Sequence, residues 1–239
     1  MGRPNIAKTK YVYDVDMAFV IDATASMKHV IEMVKDNALQ FYDQVNTAMQ
    51  KKHKQIRRLR IRLIVFRDYL ADHSDAMMVT DFFELPDESR EFKECVQSIV
   101  AMGGGDSPED GLEGLAYAIK SKWSSEKETE TGQLIKHRHV IVVWSDAPTH
   151  KIGYGRTDKF YPQGMPKDFG ELSEWWGYGQ TDGYIDQYSK RLVLFVPDEA
   201  DWNIISKSWD NVVHIKCEAG TGLRNVEYDL VLDMIGNTI

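Results

Sequence analysis

The chain has 239 residues, of which 43% are hydrophobic and 28% charged, which is the composition of a folded domain with one sizeable core. Its 37 acidic and 29 basic residues give a formal net charge of −8, which argues against a nucleic-acid partner. The chain has two widely spaced cysteines and no signal-peptide pattern, which predicts a cytoplasmic protein. It has no apolar stretch long enough to cross a membrane, so we expect no membrane partner.

The first elements follow a polar lead-in over residues 1–13. The run 17–22 (MAFVID) has no polar alternation and predicts a strand buried on both faces. From Met27 to Ala48 apolar residues recur at helical spacing, which predicts one helix that ends in the basic run 51–58 (KKHKQIRR). We interpret this run as a solvated helix end, with a docking patch for an acidic partner as the alternative.

Strands and helices continue to alternate along the rest of the chain. Strands are predicted at 59–66, 139–146, 191–198 and 212–217, an edge strand at 76–83, and helices at 89–100, 111–123 and 223–236. This alternation indicates an α/β fold with a doubly wound, mostly parallel, Rossmann-like sheet, one antiparallel edge strand and helices on both faces. We expect residues 14–239 to form a single domain.

Side chains with oxygen atoms gather where the predicted strands end. Asp22 closes the first strand and is followed by Thr24 and Ser26 at alternate positions, Asp146 closes the strand 139–146, and Asp106 lies in a glycine-rich loop. In a doubly wound sheet ligands bind at the carboxyl ends of the strands, so we expect these five side chains to converge. Carboxylates and hydroxyls suit hard divalent cations, above all Mg²⁺, with Mn²⁺ or Ca²⁺ as alternatives.

Each of these motifs also has a purely structural interpretation. An aspartate and hydroxyls after a strand are often only the N-cap of a helix. The loop 103–110 (GGGDSPED) could cradle phosphate, but it has three acids and no lysine. Its Glu109 and Asp110 are predicted to cap the following helix. Asp68 and His150 are predicted to make structural hydrogen bonds near the site.

The motifs together resemble a known family. DATAS (22–26) resembles the Asp-x-Ser/Thr-x-Ser signature of the von Willebrand factor A domain, GGGDSPED resembles its glycine-rich loop with Asp106 in the ligand position, and VVWSDAPTH matches its last aspartate at Asp146. FRDY (66–69), VTDFF (79–83) and SDAPTH (145–150) follow the pattern of such domains found with α-kinases and their intracellular relatives. The resemblance covers about residues 16–236, and Thr24, where many relatives have Ser, keeps the hydroxyl.

The resemblance implies a metal-ion-dependent adhesion site that holds Asp22, Thr24, Ser26, Asp106 and Asp146. In such a site a partner protein's Asp or Glu carboxylate completes the metal shell, which implies a protein-binding module rather than an enzyme. Family association suggests a kinase, phosphatase or ATPase as partner, within an intracellular signalling, stress or defence complex. A Mg²⁺-dependent phosphohydrolase and a metal-free scaffold stay open as alternatives, although Thr24 breaks an Asp-x-Asp pattern and no Gly-x-Ser-x-Gly nucleophile elbow is present.

The segment 151–189 is long and rich in glycine and aromatic residues. Long aromatic loops often serve binding, so Trp175 and Trp176 are candidates for the rim of a partner interface. The alternative is that both tryptophans pack a helix onto the sheet.

Overall fold

The computed structural model describes residues 11–105, 107–179, 182–221, 223 and 227–238. The strands in these residues are β1 (Val12–Asp22), β2 (Ile56–Phe66), β3 (Met77–Val79), β4 (Phe83–Leu85), β5 (Ile135–Trp144), β6 (Lys190–Pro197) and β7 (Val212–Cys217). The α-helices are α1 (Lys28–Asn37), α2 (Phe41–Lys51), α3 (Tyr69–Asp72), α4 (Ser89–Ser98), α5 (Gly111–Ile119), α6 (Phe169–Trp176), α7 (Ala200–Ser208) and α8 (Tyr228–Thr238). Sequence patterns had not predicted α3 or α7.

The strands form one sheet in the order β3-β2-β1-β5-β6-β7, with β4 also paired to β2. The pairs β1–β2, β1–β5, β5–β6 and β6–β7 are parallel, whereas β3 and β4 run antiparallel to β2. This confirms the predicted doubly wound α/β fold. From β1 the chain first adds β2 and β3 on one side of the sheet and later adds β5, β6 and β7 on the other side. The strand order therefore reverses between β1 and β5.

Hydrophobic clusters cover both faces of the sheet. Side chains of α1, α2, α4 and α8 pack on one face, and those of α5, α6 and α7 pack on the other. Burial on both faces explains why β1, β5 and β6 have continuous apolar runs instead of alternating ones. None of the helices in the described residues is long and apolar enough to cross a membrane.

Strand β1 begins at Val12, five residues before the predicted start at Met17. The extra residues include Asp14 and Asp16, two buried acidic side chains in the middle of the sheet. Arginines of β2 neutralise them: Arg57 pairs with Asp14, and Arg60 donates two hydrogen bonds to Asp16 at 2.8 and 2.7 Å. Paired charges tolerate burial that a single charge does not.

The single helix predicted from Met27 onward was wrong, because the chain forms α1 and α2 with a break at residues 38–40. At the break the Asn37 side chain donates to the Met33 carbonyl at 2.8 Å. Such side-chain bonds to the preceding turn compete with the helical hydrogen bonds and disturb the helix.

The predicted edge strand over 76–83 consists of the two short antiparallel strands β3 and β4. Between them the Leu63 amide donates to the Thr80 hydroxyl at 2.9 Å rather than to a backbone carbonyl. This side-chain acceptor interrupts the ladder and divides the edge.

Candidate metal centre

The site lies at the carboxyl ends of β1 and β5, which are parallel neighbours. Asp22 is completely buried at the end of β1. Its Oδ1 accepts hydrogen bonds from the Thr24 amide at 2.9 Å and the Thr24 hydroxyl at 2.6 Å, and its Oδ2 accepts from the Ser145 hydroxyl at 2.7 Å. Asp22 is thus held in one orientation by the residues that follow each of the two strands.

Hydroxyl groups lie between Asp22 and the second aspartate. The Thr24 and Ser26 hydroxyls are 3.4 Å apart, and Ser26 donates to Asp146 Oδ1 at 2.7 Å. The hydrogen-bonded pairs Asp22–Thr24 and Asp146–Ser26 therefore lie side by side. The sequence predicted that these four side chains converge, and their role as metal ligands stays a prediction. Asp106, the fifth predicted ligand, lies outside the described residues.

The helix-cap interpretation of these residues does not describe their contacts. Thr24 occupies the N-cap position of a short 3₁₀ helix over Ala25–Met27, but its side chain makes no capping hydrogen bond. Its hydroxyl proton goes to Asp22 instead, so the oxygen keeps a lone pair that is available for a cation.

The environment of Asp22 disfavours its charged form. Burial raises the pKa of Asp22 to about 6, and the charge of Asp146 adds to this rise. The hydrogen bonds from Thr24 and Ser145 lower it only in part.

Glu109 is a fourth acidic candidate at this site and was not predicted as one. The side chain is only 5% exposed, it lines the same cleft as Thr24, Ser26 and Asp146, and its Oε2 has no hydrogen-bond partner among the described residues. Burial and then the charge of Asp22 raise its pKa to about 9. The signal in the sequence was the position of Glu109, three residues after Asp106. We had assigned Glu109 to helix capping instead.

The glycine-rich loop packs closely enough to bring Glu109 beside Thr24. Gly104 has φ +77°, and a Cβ there would lie 2.8 Å from Glu109 Oε1 and 2.8 Å from Thr24 Cγ2. Gly103 has φ +73°, and a Cβ there would lie 1.9 Å from Asp72 Oδ1. Asp72 also accepts the Gly104 amide at 3.1 Å. Both glycines are therefore required by conformation and by space.

Arg67 of the FRDY motif joins the loops around the site. This guanidinium is 8% exposed and donates to four backbone carbonyls, at 2.6 to 3.2 Å, those of Ala23, Asp75, Val100 and Met102. One side chain thus fixes the turn after β1 against the start of the glycine-rich loop.

The predicted capping role of Asp110 was wrong. Asp110 stands at the N-cap position of α5 without a side-chain cap, and its Oδ2 accepts the Tyr69 amide at 2.7 Å. Burial, followed by the charge of Glu113, raises its pKa to about 8. Asp68 instead caps α3 by accepting the Leu70 amide at 2.6 Å, which agrees with the structural role predicted for it.

His150 does not make the side-chain hydrogen bond predicted at this position, because its Nε2 has no hydrogen-bond partner among the described residues. Its amide donates to the Glu109 carbonyl at 2.8 Å, its Nε2 lies 3.5 Å from Asp68 Oδ2, and its ring stacks on Tyr154 with centroids 3.8 Å apart. It therefore ties the loop after β5 to the backbone of Glu109.

The donor set fits a hard cation through its oxygens. The cleft has a volume of about 310 Å³ and is lined by Thr24, Ser26, Glu109 and Asp146 together with backbone of the glycine-rich loop. No group of three or more His, Cys, Asp or Glu side chains in the part of the chain that the structure describes is arranged to hold a metal ion. A cation here would depend on the hydroxyls of Thr24 and Ser26 as well as on the carboxylates.

The tryptophans proposed for a binding rim lie in the core. Trp176 is completely buried and Trp175 is 9% exposed, and both belong to the hydrophobic cluster under α6. The Trp176 indole donates to the Asp210 carbonyl at 3.1 Å and its ring stacks on Trp209 at 5.4 Å. The structure thus places them where the alternative interpretation did, packing a helix onto the sheet.

The fold and the aspartate–hydroxyl group define a doubly wound α/β domain with a candidate cation site at its topological switch point. Residues 16–127 match the family model described as the von Willebrand factor A domain. This stretch of the chain is therefore similar to a von Willebrand factor A domain. Domains of this family are generally protein-interaction modules and often bind a divalent metal ion.

One curated relative is the alpha-protein kinase vwkA of Dictyostelium discoideum, which is 28% identical over 152 residues. The match covers 64% of this chain but only 21% of that kinase. Among solved structures, the pilus adhesin SpaC from Lactobacillus rhamnosus GG in its open conformation is 15% identical, with a TM-score of 0.36. That similarity covers 56% of this chain and 15% of the adhesin chain.

Proposed function

We propose that this domain binds a protein partner through a divalent cation held at the carboxyl ends of β1 and β5. The observation that carries the proposal is the close placement of two hydrogen-bonded pairs, Asp22–Thr24 and Asp146–Ser26, whose hydroxyl oxygens lie 3.4 Å apart. In the proposal Asp106 completes the ligand set. Glu109 lines the same cleft as Thr24, Ser26 and Asp146, and its Oε2 has no hydrogen-bond partner among the described residues. Mg²⁺ is the preferred ion, with Mn²⁺ or Ca²⁺ as alternatives.

The partner in this proposal presents an Asp or Glu carboxylate. A bound divalent ion would supply positive charge that attracts this carboxylate across two negatively charged surfaces. The chain's own residues hold the geometry: Ser145 and Thr24 orient Asp22, Ser26 orients Asp146, and Arg67 fixes the surrounding loops. The proposal treats residues 14–239 as one domain that acts in the cytoplasm, with a kinase, phosphatase or ATPase as the suggested partner.

Metal binding is tested by calorimetry with Mg²⁺ and Mn²⁺. Asp22→Asn removes a buried carboxylate but keeps its shape, and Ser26→Ala removes one hydroxyl. We expect Asp22→Asn to lower the affinity at least about 100-fold and Ser26→Ala about tenfold, since the ion loses a direct or orienting oxygen. Asp36→Asn, an exposed acid on α1, is the matched control and should bind as wild type does. Unchanged affinity in Asp22→Asn would place the site elsewhere.

Partner binding and the alternatives are tested with the same variants. Capture of a host protein should disappear in EDTA and in Asp22→Asn, and Mg²⁺ should restore it in wild type only. Capture that ignores both changes would favour the metal-free scaffold. Mg²⁺-dependent hydrolysis of p-nitrophenyl phosphate that Asp22→Asn abolishes would favour the phosphohydrolase.

A further inference from the structure

The opposite end of the sheet carries a cluster of positive charge. Lys52 and Lys54 follow α2, Lys136 and Arg138 lie at the start of β5, and Arg191 lies at the start of β6. In the sheet register Lys136 pairs with Tyr13, Arg138 pairs with Val15, and Arg191 pairs with Val140. Parallel strands thus bring together cations that are up to 139 positions apart, and we call Lys52, Lys54, Lys136, Arg138 and Arg191 the basic cluster.

Two tyrosines form the floor of the basic cluster. Lys54 Nζ and Arg138 Cζ each lie 5.6 Å from the ring centroid of Tyr13, and Lys136 Nζ lies 4.1 Å from that of Tyr11. The rings hold the cations by cation–π attraction and contribute no negative charge.

Some of the carboxylates near this end of the sheet are engaged by other cations, whereas Asp43, Asp229 and Asp233 line a groove that Lys52 also lines. Arg57 and Arg58 pair with Asp14, and Lys190 pairs with Asp210 at 2.9 Å. Within the described residues, Lys54, Lys136 and Arg191 make no ion pair with a carboxylate. Lys52 is exposed and donates to the Asn237 side chain, and the other four are half-buried.

Mutual repulsion within the basic cluster is visible at Lys54. Burial lowers the pKa of Lys54, and so do the charges of Arg138, Lys52, Lys136 and Arg191. A surface that concentrates one charge in a protein of net charge −8 is matched by an anion.

We propose that the basic cluster binds an acidic protein segment, a flexible stretch that presents several Asp or Glu carboxylates to these five side chains. A single-stranded nucleic acid fits less well, because such binders offer free aromatic faces for base stacking. Here cations already cover the faces of Tyr11 and Tyr13, and Tyr13 is only 9% exposed. This surface lies at the amino ends of the strands and does not depend on the proposed metal site.

Fluorescence anisotropy with labelled decaglutamate tests the proposal. The measurement is made at about 0.15 M salt and in EDTA, so that the metal site cannot contribute. Wild type should bind the peptide. The double variant Lys54→Gln, Arg191→Gln should bind about tenfold more weakly, because two of five attractive charges are lost. Lys136→Gln, at a half-buried lysine whose ammonium lies over the exposed Tyr11 ring, is a second variant. The matched control Lys167→Gln, Lys207→Gln changes two exposed lysines outside the basic cluster and should keep wild-type affinity.

Three results would overturn the proposal. The first is no binding by wild type, and the second is equal binding by wild type and the cluster variants. The third is tighter binding of decathymidylate than of decaglutamate with the same loss in the variants, which would assign the basic cluster to nucleic acid. Thermal melts accompany each variant, and Lys54→Gln should melt no lower than wild type because it relieves repulsion.

Discussion

At the scale of single residues, buried carboxylates dominate the region behind the candidate metal centre. Glu113 is completely buried, and its Oε1 accepts from the Gly153 amide at 2.7 Å and the Tyr161 hydroxyl at 2.9 Å. Its Oε2 has no hydrogen-bond partner in the described part of the chain. Burial raises the pKa of Glu113 to about 7 from an ordinary value of 4.5.

This residue predicts a pH dependence of stability. Since the folded pKa lies above the unfolded one, the contribution of Glu113 is fully present below about pH 4.5 and is lost as the pH rises through about 7. Glu113→Gln should therefore gain about 2.5 kcal/mol of unfolding free energy, relative to wild type, between about pH 5 and pH 8. Urea unfolding at both pH values measures the difference.

The exposed Glu94 gives the control, because Glu94→Gln should leave the pH dependence of wild type unchanged. Parallel stability curves for wild type and Glu113→Gln would contradict a raised pKa at this position.

At the scale of elements, Arg67 shows how one side chain joins loops from separate parts of the chain. Its four carbonyl acceptors belong to the turn after β1, the segment after α3 and the segment after α4. A lysine would keep the charge but could not reach four acceptors with one ammonium group.

Arg67→Lys should therefore lower the unfolding free energy by about 2–3 kcal/mol, because buried carbonyls lose their donors. It should also weaken Mg²⁺ binding about tenfold, because the glycine-rich loop loses its anchor while every proposed ligand remains. Denaturant unfolding and calorimetry measure the two effects. Arg90→Lys, at a side chain that is 80% exposed, is the control. Full metal affinity in Arg67→Lys would show that Arg67 does not support the metal site.

Helix α6 illustrates how an element decides the role of its residues. Asp168 caps this helix by accepting the Glu171 amide at 2.9 Å, and Gly177 ends it with φ +79°. The helical geometry turns Trp175 and Trp176 toward the sheet, where the Lys190 ammonium donates to the Trp176 carbonyl at 2.7 Å. The exposed aromatic side chains of the surrounding segment are instead Tyr154, Phe160, Tyr178, Tyr184 and Tyr188.

At the scale of the whole molecule, charge is separated between the two ends of the sheet. Asp22, Asp146 and Glu109 lie at the carboxyl ends of the strands, and the basic cluster lies at the amino ends. Repulsion among the acids opposes folding unless a cation is present, so metal binding and global stability should be coupled.

Mg²⁺ at about 100 times its dissociation constant should stabilise the wild-type protein by about 2.7 kcal/mol and raise its melting temperature by several degrees. Asp22→Asn should lose this response and melt in EDTA at least as high as wild type, since one of the repelling carboxylates is neutral. Differential scanning calorimetry with and without Mg²⁺, at matched ionic strength with NaCl, checks both statements. A wild-type melting temperature that ignores Mg²⁺ would contradict the coupling.

The sequence by itself determined the fold class and four members of the candidate site. Continuous apolar runs that alternate with helical spacing specify a parallel sheet covered on both faces, and each such strand must end at the same edge. Asp22 and Asp146 are therefore brought together by topology, and Thr24 and Ser26 follow Asp22 within one turn. Local pattern and chain order are sufficient for this result.

Only the tertiary structure decided which charges share an environment. Glu109 and Asp110 resembled caps until the packing of Gly104 and the Tyr69 amide gave their carboxylates other neighbours. Trp175 and Trp176 were equally compatible with a rim and a core until α6 oriented them. The basic run after α2 became part of a composite surface because β5 and β6 place Arg138 and Arg191 beside it. Burial and electrostatic interactions act between residues distant in sequence, so they depend on how the elements pack.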